Sequence, residues 1–250
     1  MIKTLGQALQ ARSKDDRTIT YITGKNEETV VSYTELYSRA CSLLHTFQSK
    51  GLKPGDELVI FLRDNEKFLE AFWAAVLGGM VPVPVAVGIS DEHRAKLFRI
   101  FKLLENPYLY TDEENLERLS AYAFEHVLGE DFKVLKERTV PVQAELDMSR
   151  QGELHDVREE DVAFIQFSSG STSDPKGVVL THRNLITNMH SKIAGGKYTD
   201  QDISLSWMPL THDLGLIGFH LTMMLCNMSQ CLIPTDLFSR RPVIWLQKAS

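Results

Sequence analysis

The amino-acid sequence predicts an α/β fold in which helices cover largely parallel sheets. Short apolar runs of strand length alternate with amphipathic segments of about ten to fifteen residues, and turn residues separate them. The chain has 250 residues, of which 43% are hydrophobic and 24% charged. This is enough for a large buried core, in one large domain or two small ones.

The first elements follow from local signals. Residues 18–33 predict two strands around a Gly-Lys-Asn turn. Ser32 lies three residues before Glu35, the spacing of a capping box, so a helix is predicted to begin there. The apolar run at 57–62 predicts a buried strand, and Asp64 is the candidate N-cap of the helix that follows it.

The same alternation continues through the middle of the chain. Residues 81–87 predict a strand whose two prolines place it at a sheet edge or a strand start, and Ser90 is the candidate cap of the next helix. A strand is predicted over 107–111, followed by a short helix and a strand near 132–135. We interpret residues 147–160 as a surface connection and as a possible junction between two sub-units.

Further along the chain, Thr181 can cap a helix that the Gly195-Gly196 pair is expected to stop. In the next segment, 203–207, apolar residues alternate with Ser204 and Ser206, which predicts a strand with one wetter face.

Composition excludes several classes of protein. The net charge of −6 argues against a nucleic-acid partner, because nucleic-acid-binding proteins are usually basic. The three cysteines are scattered, without a CxxC pair, which favours a reducing compartment and thiols that bind no metal. The N-terminus has no apolar signal region, and no apolar run approaches the ~18 residues of a membrane span. The sequence therefore predicts a cytoplasmic protein with no membrane partner.

Residues 162–185 read VAFIQFSSGSTSDPKGVVLTHRNL: an apolar run, a polar loop and a second apolar run. The loop combines five hydroxyls, two glycines and one lysine: Ser168, Ser169, Gly170, Ser171, Thr172, Ser173, Lys176 and Gly177. Many donors around one cation suit a polyphosphate. A solvated Ser/Gly linker is the alternative, but a linker needs neither flanking strands nor Pro175 before the lysine. The loop also lacks the GxxxxGK[ST] spacing, so it is a different kind of phosphate loop.

This segment resembles the phosphate-binding signature of the adenylate-forming (AMP-binding) enzymes, the superfamily of acyl- and aryl-CoA ligases, nonribosomal peptide adenylation domains and luciferases. The family pattern, roughly YTSGSTGxPKGV followed by His and Asn, matches as far as His182 and Asn184. Ser173 stands where the family usually has Gly, and a left-handed backbone there would strain a serine by about 1 kcal/mol. The resemblance implies a layered αβαβα N-terminal domain, ATP phosphates on residues 168–177, and Lys176 as a catalytic cation.

A second informative segment, WMPLTHDLGLIG, spans residues 207–218. An alternating strand leads into a helix predicted to begin near 211–213, which places His212 at the carboxyl end of a strand, where ligands bind in open α/β sheets. His212 could instead be a hydrogen-bonded histidine at a helix start. The segment is similar to W-L-P-x-x-H-D-M-G-L-I-G of fatty acyl-AMP ligases and the loading domains of polyketide and nonribosomal peptide synthases. That resemblance implies a catalytic role for His212 and substrate binding by Trp207, His212, Asp213 and Gly215.

Three further features leave alternatives open. Gly215 and Gly218 allow a ligand or a second backbone to approach, or serve helix packing. Methionines between 223 and 228 are core residues or the wall of an acyl tunnel. The segment DLFSRRPVIWLQKAS, residues 236–250, resembles the family's P-x-x-F-x-x-R-P-x-x-W-L, with matches at Phe238, Arg241, Pro242, Trp245 and Leu246. Arg240 and Arg241 would also suit a plain surface. Because Ser250 falls inside a predicted helix without a stop signal, residues 1–250 are expected to be an N-terminal fragment with little activity alone.

The resemblance also implies a reaction. A fatty or hydroxy acid attacks the α-phosphate of ATP, pyrophosphate leaves, and the acyl-adenylate is passed to the phosphopantetheine thiol of an acyl carrier protein or a downstream synthase module. Mg²⁺ would neutralise the pyrophosphate, with ligands expected outside these 250 residues. The alternatives are an acyl-CoA ligase and a non-catalytic nucleotide-binding or scaffold domain.

Overall fold

The computed structural model describes residues 2–24, 27–88, 90–168 and 175–249. In chain order the elements are α1 (Leu5–Gln10), β1 (Thr18–Ile22), β2 (Glu28–Ser32), α2 (Tyr33–Ser49), β3 (Glu57–Phe61), α3 (Asn65–Leu77), β4 (Val81–Pro84), α4 (Asp91–Leu103), β5 (Pro107–Thr111), α5 (Glu113–Glu125), α6 (Gly129–Glu137), β6 (Thr139–Pro141), β7 (Val162–Ser168), β8 (Lys176–Thr181), α7 (His182–Gly196), β9 (Ile203–Ser206), a π-helix (Leu214–Leu221), α8 (Thr222–Cys226), β10 (Ser229–Leu232), α9 (Thr235–Arg240) and α10 (Val243–Ala249). None of the described helices is both long enough and apolar enough to span a bilayer.

Two four-stranded sheets organise these elements. One has the order β2-β1-β10-β9, in which only the β1–β2 hairpin is antiparallel. The other has the order β4-β3-β5-β6 and is entirely parallel, with every residue of β3 buried. A third pair, the antiparallel hairpin β7–β8, contacts β4. The predicted α/β class with largely parallel sheets is confirmed, as are the N-terminal hairpin and the edge position of the proline-containing strand.

Three predicted helix starts are confirmed by their caps, whereas Ser90 at the start of α4 makes no side-chain cap hydrogen bond. Ser32 accepts a hydrogen bond from Glu35 N at 3.1 Å, and Asp64 accepts from two backbone N–H groups of α3. At α7, Thr181 and Asn184 cap each other's backbone N–H groups at 3.2 Å, which completes a capping box. These bonds satisfy N–H groups that have no partner within their own helix.

The strand predicted near 132–135 is wrong, because these residues lie in α6. Leu128, Phe132 and Leu135 recur at intervals of four and three and pack in the core between α4, α5 and the parallel sheet. This spacing is helical. The short alternation of apolar and charged residues at 132–135 is typical of a strand. The helical spacing extends over more residues.

Two smaller expectations also need correction. The Gly195-Gly196 pair does not stop α7; both glycines are helical, and Lys197 takes the left-handed conformation with φ 53°. In β9 the face predicted to be wetter is the buried one: Ser204 and Ser206 are buried, whereas Ile203 is 73% exposed. Leu205 of this strand packs instead against a small separate cluster around Ile22, Ile233 and Ile244.

Residues 147–160 contain no helix or strand and run over α2 and α3. Gly152 N donates to Cys41 O at 2.8 Å, and His155 N donates to Leu77 O at 2.9 Å. These bonds hold the segment as the surface connection that the sequence predicted. A junction between two sub-units within it stays a prediction.

Candidate functional site

The β7–β8 hairpin presents the ends of the predicted phosphate loop. Ser168 and Lys176 lie opposite each other at the open end of the two strands. Lys176 is exposed, and its side chain makes no ion pair or hydrogen bond with any residue that the structure describes. A Cβ on Gly177 would lie 3.0 Å from the Ile165 side chain, so glycine lets the strands approach closely. The remaining predicted loop residues lie outside the described residues: Ser169, Gly170, Ser171, Thr172 and Ser173.

Gln166 joins this hairpin to the second predicted segment. Its Nε2 donates to the carbonyl oxygen of Thr211 at 2.7 Å, directly before His212 in the chain. Gln166 lies two residues before Ser168 in β7, roughly 7 Å along the strand at about 3.4 Å per residue. The structure therefore brings strand β7, which leads into the predicted phosphate loop, beside the histidine segment. Gln166 was not among the predicted site residues, because the apolar character of residues 162–167 indicates only a buried strand. One polar residue in such a strand is itself a signal.

His212 and Asp213 form a directed pair before the π-helix. His212 Nδ1 and Asp213 Oδ1 are 2.7 Å apart. The Leu214 N–H lies 3.2 Å from Nδ1 and 2.7 Å from Asp213 Oδ1, and the shorter contact satisfies it. Because a carboxylate accepts, the pairing with Asp213 is consistent with a proton on Nδ1. Nε2 is left as the ring nitrogen that can contact a ligand. Both side chains are more than half exposed, which leaves the pair open to solvent.

The helix after this pair is a π-helix, a form that occurs mainly as single turns and often near functional sites. Thr222 Oγ1 donates to Ile217 O, five residues earlier, at 2.6 Å. At its start, a Cβ on Gly215 would lie 2.1 Å from the carbonyl oxygen of Pro209. Of the alternatives left open for Gly215, the structure shows the close approach of a second backbone. Its contact with substrate stays a prediction.

A buried hydrogen-bond chain holds the far end of the π-helix. The Trp73 indole donates from Nε1 to His220 Nε2 at 2.9 Å. His220 therefore carries its proton on Nδ1 and donates to Gln230 Oε1 at 2.9 Å. Gln230 Nε2 donates to the Tyr33 hydroxyl at 2.7 Å, and that hydroxyl donates to Met228 O. Burial lowers the pKa of His220 to about 4, so the ring is neutral.

The other motif residues make contacts within the protein that stabilise the fold. His182 accepts from Leu5 N at its Nδ1, and burial lowers the pKa of His182 to about 4. Trp207 stacks on Phe238 with ring centroids 4.0 Å apart. Arg240 pairs with an exposed aspartate of its own helix, as a surface arginine would. Three methionines are buried in the core, which favours the core alternative over a tunnel wall: Met223, Met224 and Met228.

Metal ligands do not cluster in the part of the chain that the structure describes. No group of three or more His, Cys, Asp or Glu there could hold an ion. Lys176 is therefore the charged group that the described site offers to a polyphosphate.

Fold and site together define a class of protein. The α/β architecture with largely parallel sheets matches that of the N-terminal domain of adenylate-forming enzymes. The chain belongs to the family of AMP-binding enzymes, whose model matches residues 7–249. The family recognised from the two sequence segments is thereby confirmed.

Known proteins similar to this chain differ in what their names describe. It is 29% identical to a putative acyl-CoA synthetase of Caulobacter vibrioides, covering 97% of this chain and 42% of that protein. It is 28% identical to the medium-chain-fatty-acid–[acyl-carrier-protein] ligase JamA of Moorena producens, covering 91% and 38%. Among solved structures, the adenylation domain of a keto acid-selecting NRPS module bound to keto acyl adenylate has a TM-score of 0.90 and 31% identity, covering 99% and 44%. The chain thus spans about two fifths of these proteins.

Proposed function

We propose that this chain is the N-terminal part of an ATP-dependent acyl-activating ligase that forms an acyl-adenylate from a carboxylic acid. The observation that carries the proposal is the hydrogen bond from Gln166 to Thr211, which places the Lys176 hairpin beside the His212 segment. One segment offers an exposed cation for phosphate, and the other offers an imidazole paired with a carboxylate. An acid and ATP need both kinds of group at one place.

Lys176 and the loop from Ser168 to Gly177 would hold the β- and γ-phosphates of ATP. The carboxylate oxygen forms a bond to the α-phosphorus, the bond from that phosphorus to the bridging oxygen breaks, and pyrophosphate leaves with the electron pair. Negative charge moves onto the leaving group, so a positioned ammonium and backbone donors would stabilise the transition state. Lys176, which is exposed and makes no ion pair with any of the described residues, fits this role.

His212 would orient the carboxylate or the adenylate through Nε2. Asp213 binds Nδ1 at 2.7 Å and fixes the tautomer and the ring plane, so one nitrogen is left for the ligand. Trp207 and Gly215 would line the acid site from the same segment. ATP chemistry of this kind uses Mg²⁺ to neutralise pyrophosphate, and the described residues offer no ready ligand cluster, so its protein ligands would come from elsewhere.

For the acceptor we propose the phosphopantetheine thiol of an acyl carrier protein, in polyketide or lipopeptide synthesis. The HDLGLIG and RPxxWL matches and the name of the Moorena producens relative support a carrier protein. The name of the Caulobacter vibrioides relative supports CoA instead. Mass spectrometry of carrier-bound product, with CoA as competitor, decides between them. A fatty or hydroxy acid as substrate and a cytoplasmic location remain predictions from the sequence.

Calorimetry with ATP and with a non-hydrolysable acyl-adenylate analogue tests the core of the proposal. Lys176→Ala is expected to weaken ATP binding by about tenfold, which corresponds to about 1.4 kcal/mol. Lys133→Ala, an exposed lysine on α6, is the matched control and should bind like the wild type. His212→Ala should weaken the analogue more than ATP. A wild-type chain that binds neither ligand would support the non-catalytic scaffold instead.

A further inference from the structure

Among the described residues, only one of the two polar atoms of the Gln166 amide has a hydrogen-bond partner. Nε2 donates to Thr211 O at 2.7 Å, but Oε1 is buried and accepts from no residue that the structure describes. An acceptor buried without a donor costs about 1–3 kcal/mol. An apolar side chain of similar length would avoid that cost at this position, so packing alone does not account for glutamine here.

The neighbours of Gln166 are apolar on both faces of β7. Phe164 packs in the main core with an edge contact to Phe72, and Ile165 and Phe167 pack against the cluster over the parallel sheet. Gln166 is thus a single amide set into an otherwise apolar stretch, and its hydrogen-bond partner lies 45 residues away in the chain. It ties together two segments that no other described side-chain hydrogen bond connects.

From this placement we propose that Gln166 is a positioning residue that couples the two halves of the site. Its donor fixes the Thr211 carbonyl, and with it the backbone of His212, relative to the strand that leads into the phosphate loop. A ligand that orders one segment would therefore prepare the other. This inference rests on the proposed function, because it requires pyrophosphate at the hairpin and the acyl-adenylate at His212.

Coupling of this kind is measurable as a linkage between two ligands. The dissociation constant of pyrophosphate is measured by calorimetry with and without saturating acyl-adenylate analogue. In the wild type the analogue should change the pyrophosphate affinity at least fivefold. In Gln166→Met, which has similar length but no donor, that factor should fall to below twofold while each ligand alone changes less than about threefold. Gln166→Glu should behave likewise, since a carboxylate oxygen would face the Thr211 carbonyl.

Gln48→Met is the matched control. The Gln48 amide also bridges two distant segments, donating to Glu153 O at 2.8 Å and accepting from Glu153 N at 2.9 Å, but it lies on α2. This variant should keep the wild-type coupling factor. Circular dichroism and thermal melting confirm that each variant is folded.

The outcomes separate the two hypotheses. If the wild type binds neither pyrophosphate nor the analogue, the proposed function fails. If the wild type binds both ligands and Gln166→Met keeps the wild-type coupling factor, Gln166 has only a structural role and the inference is overturned. This holds also if the variant binds both ligands more weakly by the same factor. The same holds if the wild type binds both ligands without any coupling.

Discussion

The sharpest quantitative prediction of the structure is that His220 lowers the stability of the fold in acid. The ring is fully buried, accepts from Trp73 and donates to Gln230, so it has no room for a second proton without losing a hydrogen bond. We propose to compare the wild type with His220→Gln, because a glutamine amide can also accept at one atom and donate at the other without titrating.

The magnitude follows from the pKa of His220, which is about 4 in the folded chain and near 6.5 when unfolded. Between these values the unfolded chain binds more protons, so stability is retained above about pH 6.5 and is lost as the pH falls toward 4. At pH 5 the expected loss is about 2 kcal/mol, and the full shift corresponds to roughly 3 kcal/mol. His182 titrates in the same range but is present in both proteins, so its contribution cancels.

Urea denaturation at pH 7.5 and pH 5.0 measures the effect. From the higher to the lower pH, the free energy of unfolding of the wild type should fall by about 2 kcal/mol more than that of His220→Gln. Parallel pH dependence of the two proteins would refute the buried, neutral assignment. If the wild type instead became more stable than His220→Gln in acid, the sign of the predicted pH dependence would be wrong.

Four other substitutions have defined outcomes. Gly215→Ala should lower stability by about 2 kcal/mol or more in thermal denaturation, because its Cβ would meet Pro209 O at 2.1 Å, whereas Gly195→Ala, with open space around it, should be neutral or stabilising by up to about 1 kcal/mol. Thr181→Ala should cost about 1 kcal/mol in urea denaturation through loss of the α7 cap, and an unchanged midpoint would contradict the capping box. Val127 has φ 57° and is 91% exposed, so Val127→Gly should relieve backbone strain. The expected gain in stability is about 1 kcal/mol, which would raise the melting temperature by a few degrees. A lower melting temperature would contradict the strain.

The features predicted correctly from sequence are local. Ser32, Asp64 and Thr181 cap helices through residues two or three positions away, so a short window contains the whole interaction. The parallel sheets follow from the alternation of strands and helices. Phe132 shows the limit of this approach, because a short alternating pattern competes with a helical stripe and only packing decides between them.

The interactions missed in the sequence are long-range. Gln166 bonds to a carbonyl 45 residues later, and the chain around His220 draws its members from α2, α3, the π-helix and the strand after it. Nothing near these residues in the sequence indicates their partners. The two motifs identified the family, but their proximity could be seen only in three dimensions.

The pairing of β1 with β10 has a consequence for synthesis of the chain. Ile19 lies opposite Gln230, so the N-terminal hairpin gains its parallel neighbour only after roughly 200 further residues have left the ribosome. At about 5–20 residues per second, that interval is roughly 10 to 40 s. Throughout this time one edge of the hairpin is without its native neighbour, and a nascent-chain chaperone that shields it would protect this protein from misassembly.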